Sequence, residues 1–184
     1  MSRRTPTIST TVRTALFLTG LRLRFALGGL VAPRRTLAAA ARLFTTPMPI
    51  SRTRAARPAS PAPREIRLPI GEHTLAVYEW GNPWRQPYVL FAHGWSSHGT
   101  RVAPWIAPLQ AAGYAVVAFD QIAHGKSPGT TTTLPDFTRH LMRVAEHYGP
   151  AAAVIGHSMG GAASAAALAN GLRADRAILL APAA

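Results

Sequence analysis

The hydrophobic and polar positions change character near residue 63. Beyond it, apolar residues come in short runs broken by Gly, Pro and Asp. Arg64–Ile70 and Thr74–Trp80 alternate apolar and polar residues and read as two strands joined by a turn at Gly71-Glu72. Tyr88–Ala92 is a nearly continuous apolar run, the pattern of a strand buried on both faces of a sheet. Tyr114–Phe119, Ala151–Gly156 and Asp175–Ala181 read as further strands. Between them, Trp105–Ala112, Leu134–Tyr148 and the alanine-rich Gly161–Gly171 read as helices. This alternation predicts an α/β fold with a mainly parallel sheet covered by helices. Ligand sites in such sheets lie beyond the C-terminal ends of the strands. His93, His124 and Ser158 are all expected at such ends.

Before residue 63 the pattern is different. Ala15–Ala32 is an apolar run of about membrane length, interrupted by Arg22 and Arg24. Two arginines at mid-span cost about 5–7 kcal/mol on an insertion scale, which argues against a spanning helix. Arg3, Arg4 and Arg13 would make the basic start of a signal peptide, but its apolar core is cut short at Arg22, so export is not expected. A second helix is expected over Pro33–Phe44, with Pro33 in its first turn and Thr45-Thr46-Pro47 as its stop. Pro47–Pro63 is rich in Pro, Ser, Ala and Arg and reads as a linker. The expected organisation is therefore a basic, partly helical extension and linker at 1–63 and an α/β domain at 64–184.

Charge sharpens that division. Of the 20 Lys and Arg in the 184 residues, 13 Arg fall in residues 1–67 against Glu65 alone; six Arg and Lys126 face six acids in the rest. The basic character belongs to the extension, where it suits weak contact with an anionic membrane surface. An arm that binds nucleic acid is not supported, because no aromatic residues or recognition motif interleave the arginines. The expected location is cytoplasmic, with membrane-surface contact through residues 1–63 as the further expectation. The absence of cysteine excludes disulfides, thiolate metal sites and cysteine nucleophiles. With no phosphate-binding glycine loop either, neither a cofactor nor a metal is expected.

Val154-Ile155-Gly156-His157-Ser158-Met159-Gly160-Gly161 carries the candidate chemistry. It reads as strand, one-residue turn and small-residue helix, the layout of a G-x-S-x-G nucleophile elbow. Three other stretches accompany it in order: His93-Gly94-Trp95 after one strand, Asp120 with His124-Gly125-Lys126-Ser127 after the next, and Leu179–Pro182 after the elbow helix. Together, over residues 64–184, they resemble the serine-hydrolase branch of the α/β-hydrolase family.

The resemblance implies a small-molecule acyl substrate, such as a carboxylic ester, with Ser158 as nucleophile. It implies the N–H groups of Met159 and Trp95 as an oxyanion hole, and His93, Gly94, Gly156, His157, Gly160 and Gly161 as elbow and loop support. Glycine is needed at 156 and 160 because a larger residue would clash where helix crosses strand. A serine here argues against the aspartate-nucleophile branches, the dehalogenases and epoxide hydrolases. His93 and His124 are loop-ordering residues in the family pattern.

The base and acid of such a site should follow the serine. After Ser158 the chain has one acid, Asp175, at the start of a strand, and no histidine. The chain thus reads as the N-terminal part of such a hydrolase, C-terminally incomplete, with acid and base in sequence not present. The alternatives are a non-catalytic hydrolase-like remnant and a membrane-surface interaction protein.

Overall fold

The computed structural model describes residues 10–183; Arg3 and Arg4 lie outside them. The chain forms two compact units, Met1–Phe44 and Thr45–Ala184.

The first unit holds helix α1 (Thr10–Val31) and most of helix α2 (Pro33–Thr45). The sequence divides the apolar run of α1 into two short pieces at Arg22 and Arg24, whereas the structure carries one helix through both. Arginine is a good helix former, so it interrupts hydrophobicity without interrupting the helix. The stretch Thr14–Val31 is long and apolar enough to cross a membrane, and none of it is buried. Leu16, Phe17, Leu23, Leu27 and Leu30 are all exposed. Within this unit α1 and α2 approach closely at Gly28, where a Cβ would lie 2.6 Å from Thr36 Oγ1.

The second unit begins earlier than the pattern suggests. The stretch read as a linker contains helix α3 (Ile50–Ala55), whose Ser51 and Ala55 are buried. Further along, Trp80 Nε1 donates to the Pro61 carbonyl at 2.8 Å. The compact unit therefore starts at Thr45 and not at residue 64. Six residues are too few for a helical period to be read, and tertiary contacts hold the helix instead.

The sheet has six strands: β1 (Arg64–Ile70), β2 (His73–Trp80), β3 (Tyr88–Ala92), β4 (Ala115–Phe119), β5 (Ala153–His157) and β6 (Ala177–Leu180). Their order is β1-β2-β4-β3-β5-β6. The β1–β2 and β2–β4 pairings are antiparallel; β4–β3, β3–β5 and β5–β6 are parallel. The sheet is thus mixed at its start and parallel where the candidate residues lie.

Successive side chains of the central strands alternate between two cores. Leu75, Val77, Leu90, Val117 and Phe119 face one side with Leu141, Val144 and Ala167 of helices α5 (Leu134–Tyr148) and α6 (Met159–Ala169). Tyr78, Val89, Phe91, Val116 and Ala118 face the other with Val102 and Ile106, from the 3₁₀ turn Gly99–Trp105 and helix α4 (Ile106–Ala111). Burial of each such aliphatic side chain is worth about 1.5–3 kcal/mol before entropy is counted.

Helix α5 has the bounds its periodicity predicts. Thr133 and Asp136 form a capping box at its start, and Gly149 ends it at φ 82°. β6 is the exposed edge of the parallel half, with Ile178 and Leu179 open to solvent.

Candidate active site

The parallel register brings three strand ends together. Ala92 pairs with Gly156 and Phe91 with Ala118, so His93, Asp120 and Ser158 leave neighbouring strands at one rim. Ser158 is the single turn residue between β5 and α6, with φ 53° and ψ −122°. This is an uncommon conformation for a residue with a Cβ and costs on the order of 1–3 kcal/mol. Packing holds it in place. The Ser158 N–H donates to the Leu180 carbonyl at 2.9 Å, and the Ser158 carbonyl accepts from the N–H groups of Gly161 and Ala183 at 2.8 and 3.1 Å.

The neighbouring glycines are steric requirements. A Cβ on Gly156 would lie 2.6 Å from the Gly160 carbonyl oxygen, and one on Gly160 would lie 2.5 Å from that of His93 and overlap that of Ala92. A Cβ on Gly94 would lie 2.9 Å from Ser158 Cβ and 3.2 Å from His157 Nδ1. Gly94 therefore lets the His93–Ser97 loop lie directly against the serine turn. Met159 opens α6, so its N–H has no acceptor within the helix. His157 Nδ1 is buried without a partner, and no hydrogen bond joins Ser158 to any histidine among the described residues.

His93 and His124 are fully engaged elsewhere. His93 Nε2 accepts from the Gln121 N–H at 3.0 Å, so its Nδ1 carries the proton and donates to the Gly94 carbonyl at 2.7 Å. His124 Nε2 accepts from the Ser96 N–H at 2.9 Å, and its Nδ1 faces the Ile122 carbonyl at 3.1 Å. Burial pushes His93 down to about 4 and His124 down to about 3, with the neighbouring His93 lowering His124 further. Both rings are neutral and have no free nitrogen, so neither can take the serine proton. His140 is likewise pushed by burial to about 4, with Nδ1 2.7 Å from Gln121 Oε1.

These three histidines make the fold sensitive to acid. Their folded pKa values lie below the ordinary 6.5, so the unfolded chain binds protons first as the pH falls. Their contribution to stability is full above pH 6.5 and is lost from there down to about pH 4 for His93 and His140 and about pH 3 for His124, by up to about 1.4 kcal/mol per pH unit for each histidine. Asp120, raised by burial, opposes this in the lower part of the window. Urea melts at pH 7 and pH 5 should show a clearly lower midpoint at pH 5; equal midpoints would contradict the assignment of neutral buried rings.

Asp120 is the member of this rim that the sequence pattern undervalues. Its carboxylate accepts from the Tyr78 hydroxyl at 2.6 Å and from the N–H groups of Gly99 and Lys126, each at 2.7 Å. Its carbonyl accepts from Ser127 Oγ at 2.6 Å, and Ser127 Oγ accepts from the Ala76 N–H at 2.9 Å. One buried acid thus ties together β2, the 3₁₀ turn and the loop after β4. The available signal was an acid directly after an apolar strand. Among the described residues, no cluster of three or more His, Asp or Glu side chains is placed to hold a metal ion.

A sheet of this order, with a serine held in a strained strand-to-helix turn at its C-terminal rim, defines the α/β-hydrolase class. Within that class the chain belongs to the family described as serine aminopeptidase, S33, whose model matches residues 85–184. A thioesterase domain from the curacin biosynthetic pathway is similar at 30% identity and TM-score 0.60, covering 66% of this chain and 47% of its own. A proline iminopeptidase-related protein from Thermus thermophilus shares 26% identity at TM-score 0.54, over 65% of this chain and 45% of its own. Epoxide hydrolase A from Mycobacterium thermoresistibile shares 26% identity at TM-score 0.57, over 64% and 39%. The chain thus spans less than half the length of these solved structures. No curated protein matches it.

Proposed function

We propose that this chain carries the nucleophile and oxyanion donors of a serine hydrolase acting on a small carboxylic ester or related acyl compound. The observation that carries the reading is Ser158 at φ 53° between β5 and α6, with Gly94, Gly156 and Gly160 packed too tightly for any side chain. In this reading Ser158 Oγ attacks the acyl carbon and the carbonyl oxygen becomes an oxyanion. The N–H groups of Met159 and Trp95 stabilise it, each donor contributing about 3–4 kcal/mol. Collapse of the intermediate breaks the acyl–oxygen bond, releases the alcohol and leaves an acyl-serine, which water then hydrolyses. His93 and His124 hold the loop that bears Trp95 and transfer no proton.

Proton removal from Oγ needs a base. No described histidine is bonded to Ser158, so the reading names the nucleophile alone, and labelling at Ser158 requires that a base reach it. That same observation favours the second reading, a hydrolase-like fold without turnover.

A fluorophosphonate probe on the full chain separates them. Labelling with its mass increment on Ser158, abolished in Ser158→Ala, is the result expected of the serine hydrolase. A folded protein that takes up no label, or labels equally in Ser158→Ala, would leave the non-catalytic reading.

A further inference from the structure

We propose that the arm Thr45–Ala56 is a positioning element for the oxyanion loop and that Arg52 is its principal positioning residue; this rests on the role given above to Trp95. The arm contains α3 and meets the loop after β4 chiefly through one guanidinium. Arg52 Nη1 donates to the carbonyls of Gly125 and Ser127 at 3.1 and 2.9 Å, and Nη2 donates to that of Gly129 at 2.8 Å. Gly125 and Gly129 have φ values of 48° and 88°, which turn alternate carbonyls of the loop toward one point. Three carbonyl oxygens facing one point form a partial negative charge, and Arg52 supplies the matching cation and donor fork.

The loop held in this way also carries His124. Its Nε2 accepts from the Ser96 N–H, and Ser96 follows Trp95 directly in the chain. A second tether comes from the same arm, because the Met48 N–H donates to Ser96 Oγ at 2.9 Å. Ser96 itself has φ 51°, an uncommon conformation for a residue with a Cβ, which such restraints help to hold. A third bond, from the Thr132 N–H to the Thr45 carbonyl at 2.9 Å, fixes the beginning of the arm. The direction of the Trp95 N–H is therefore set from two sides, through His124 and through Met48, and residues 45–56 brace both, beside the bonds that Asp120 makes to the loop bearing His124.

The test combines hydrogen exchange with probe kinetics on the full chain. In Arg52→Ala, amide exchange in segments 93–98 and 121–129 should rise about tenfold, with the rest of the sheet unchanged. The maximal fluorophosphonate labelling rate should fall about tenfold at unchanged probe affinity, the scale expected when a reacting geometry is partly misplaced. Arg52→Lys, which keeps the cation, should recover part of both effects. Ser96→Ala, which removes only the acceptor of the Met48 N–H, should raise exchange in 93–98 even if Arg52→Ala does not fold. Wild-type exchange in 93–98 in every variant would overturn the proposal, as would a labelling change that follows probe affinity alone. If the wild-type chain does not label, the nucleophile reading fails, while the exchange arm still decides whether residues 45–56 hold the loop.

Discussion

Gly160→Ala is expected to destabilise the Thr45–Ala184 unit by about 3 kcal/mol or more, the upper part of the overpacking range. The new Cβ would overlap the Ala92 carbonyl and lie 2.5 Å from that of His93. Both are backbone oxygens: Ala92 ends β3, a strand paired on both sides, and His93 follows it directly, so neither can move without disturbing the end of that strand. Gly113→Ala is the comparison. Gly113 has φ 86° but open space around it, so only the conformational cost of about 1–2 kcal/mol applies. Urea melts should rank wild type, Gly113→Ala and Gly160→Ala in falling order. A Gly160→Ala protein as stable as Gly113→Ala would mean that α6 does not press on β3 as described.

Asp120→Ala should produce a loss of similar size by the opposite route, removing atoms and not adding them. It leaves the Tyr78 hydroxyl and the N–H groups of Gly99 and Lys126 without their acceptor. Each buried donor without a partner costs about 1–3 kcal/mol, so a total of about 3–5 kcal/mol is expected after some rescue by water. Asp120→Asn keeps the shape and one acceptor oxygen and should lose less. The tyrosine provides a direct readout. Burial and the neighbouring carboxylate together hold Tyr78 far above its ordinary pKa. In Asp120→Asn its ionisation, followed by ultraviolet absorbance, should move down toward the ordinary value. An unchanged tyrosine titration would show that Asp120 does not bear on it.

What the chain discloses by itself follows from how local each signal is. β3, β4 and α5 announce themselves because a strand buried on both faces must be apolar throughout and a half-buried helix must repeat along one face. Tyr88–Ala92 and Leu134–Tyr148 carry those patterns unaided. The turn at Ser158 is visible for a related reason: only glycine fits at 156 and 160, so the constraint is written into the residues themselves. α3 is different. Ile50–Ala55 is short, basic and flanked by prolines, and nothing within it requires a helix; its contacts, such as those of Arg52 with the carbonyls of Gly125, Ser127 and Gly129, come from elsewhere in the chain. Those partners lie far along the chain, and no periodicity encodes them. The same holds for Asp120, which is one acid among seven until the fold places three donors around it.

The clamp between Arg52 and the loop after β4 also sets an order of events during synthesis. The three carbonyls that Arg52 grips are made 73, 75 and 77 residues after it. At ordinary translation rates that interval is roughly 4–15 s. During it the arm has left the ribosome with neither its Gly125–Gly129 partners nor, for most of that time, Ser96. β1 and β2 can pair at once as a hairpin, but the arm can dock only when β4 and its following loop have emerged. Docking of residues 45–56 therefore reports that the centre of the sheet has closed, and until then this basic segment is open to proteases and chaperones.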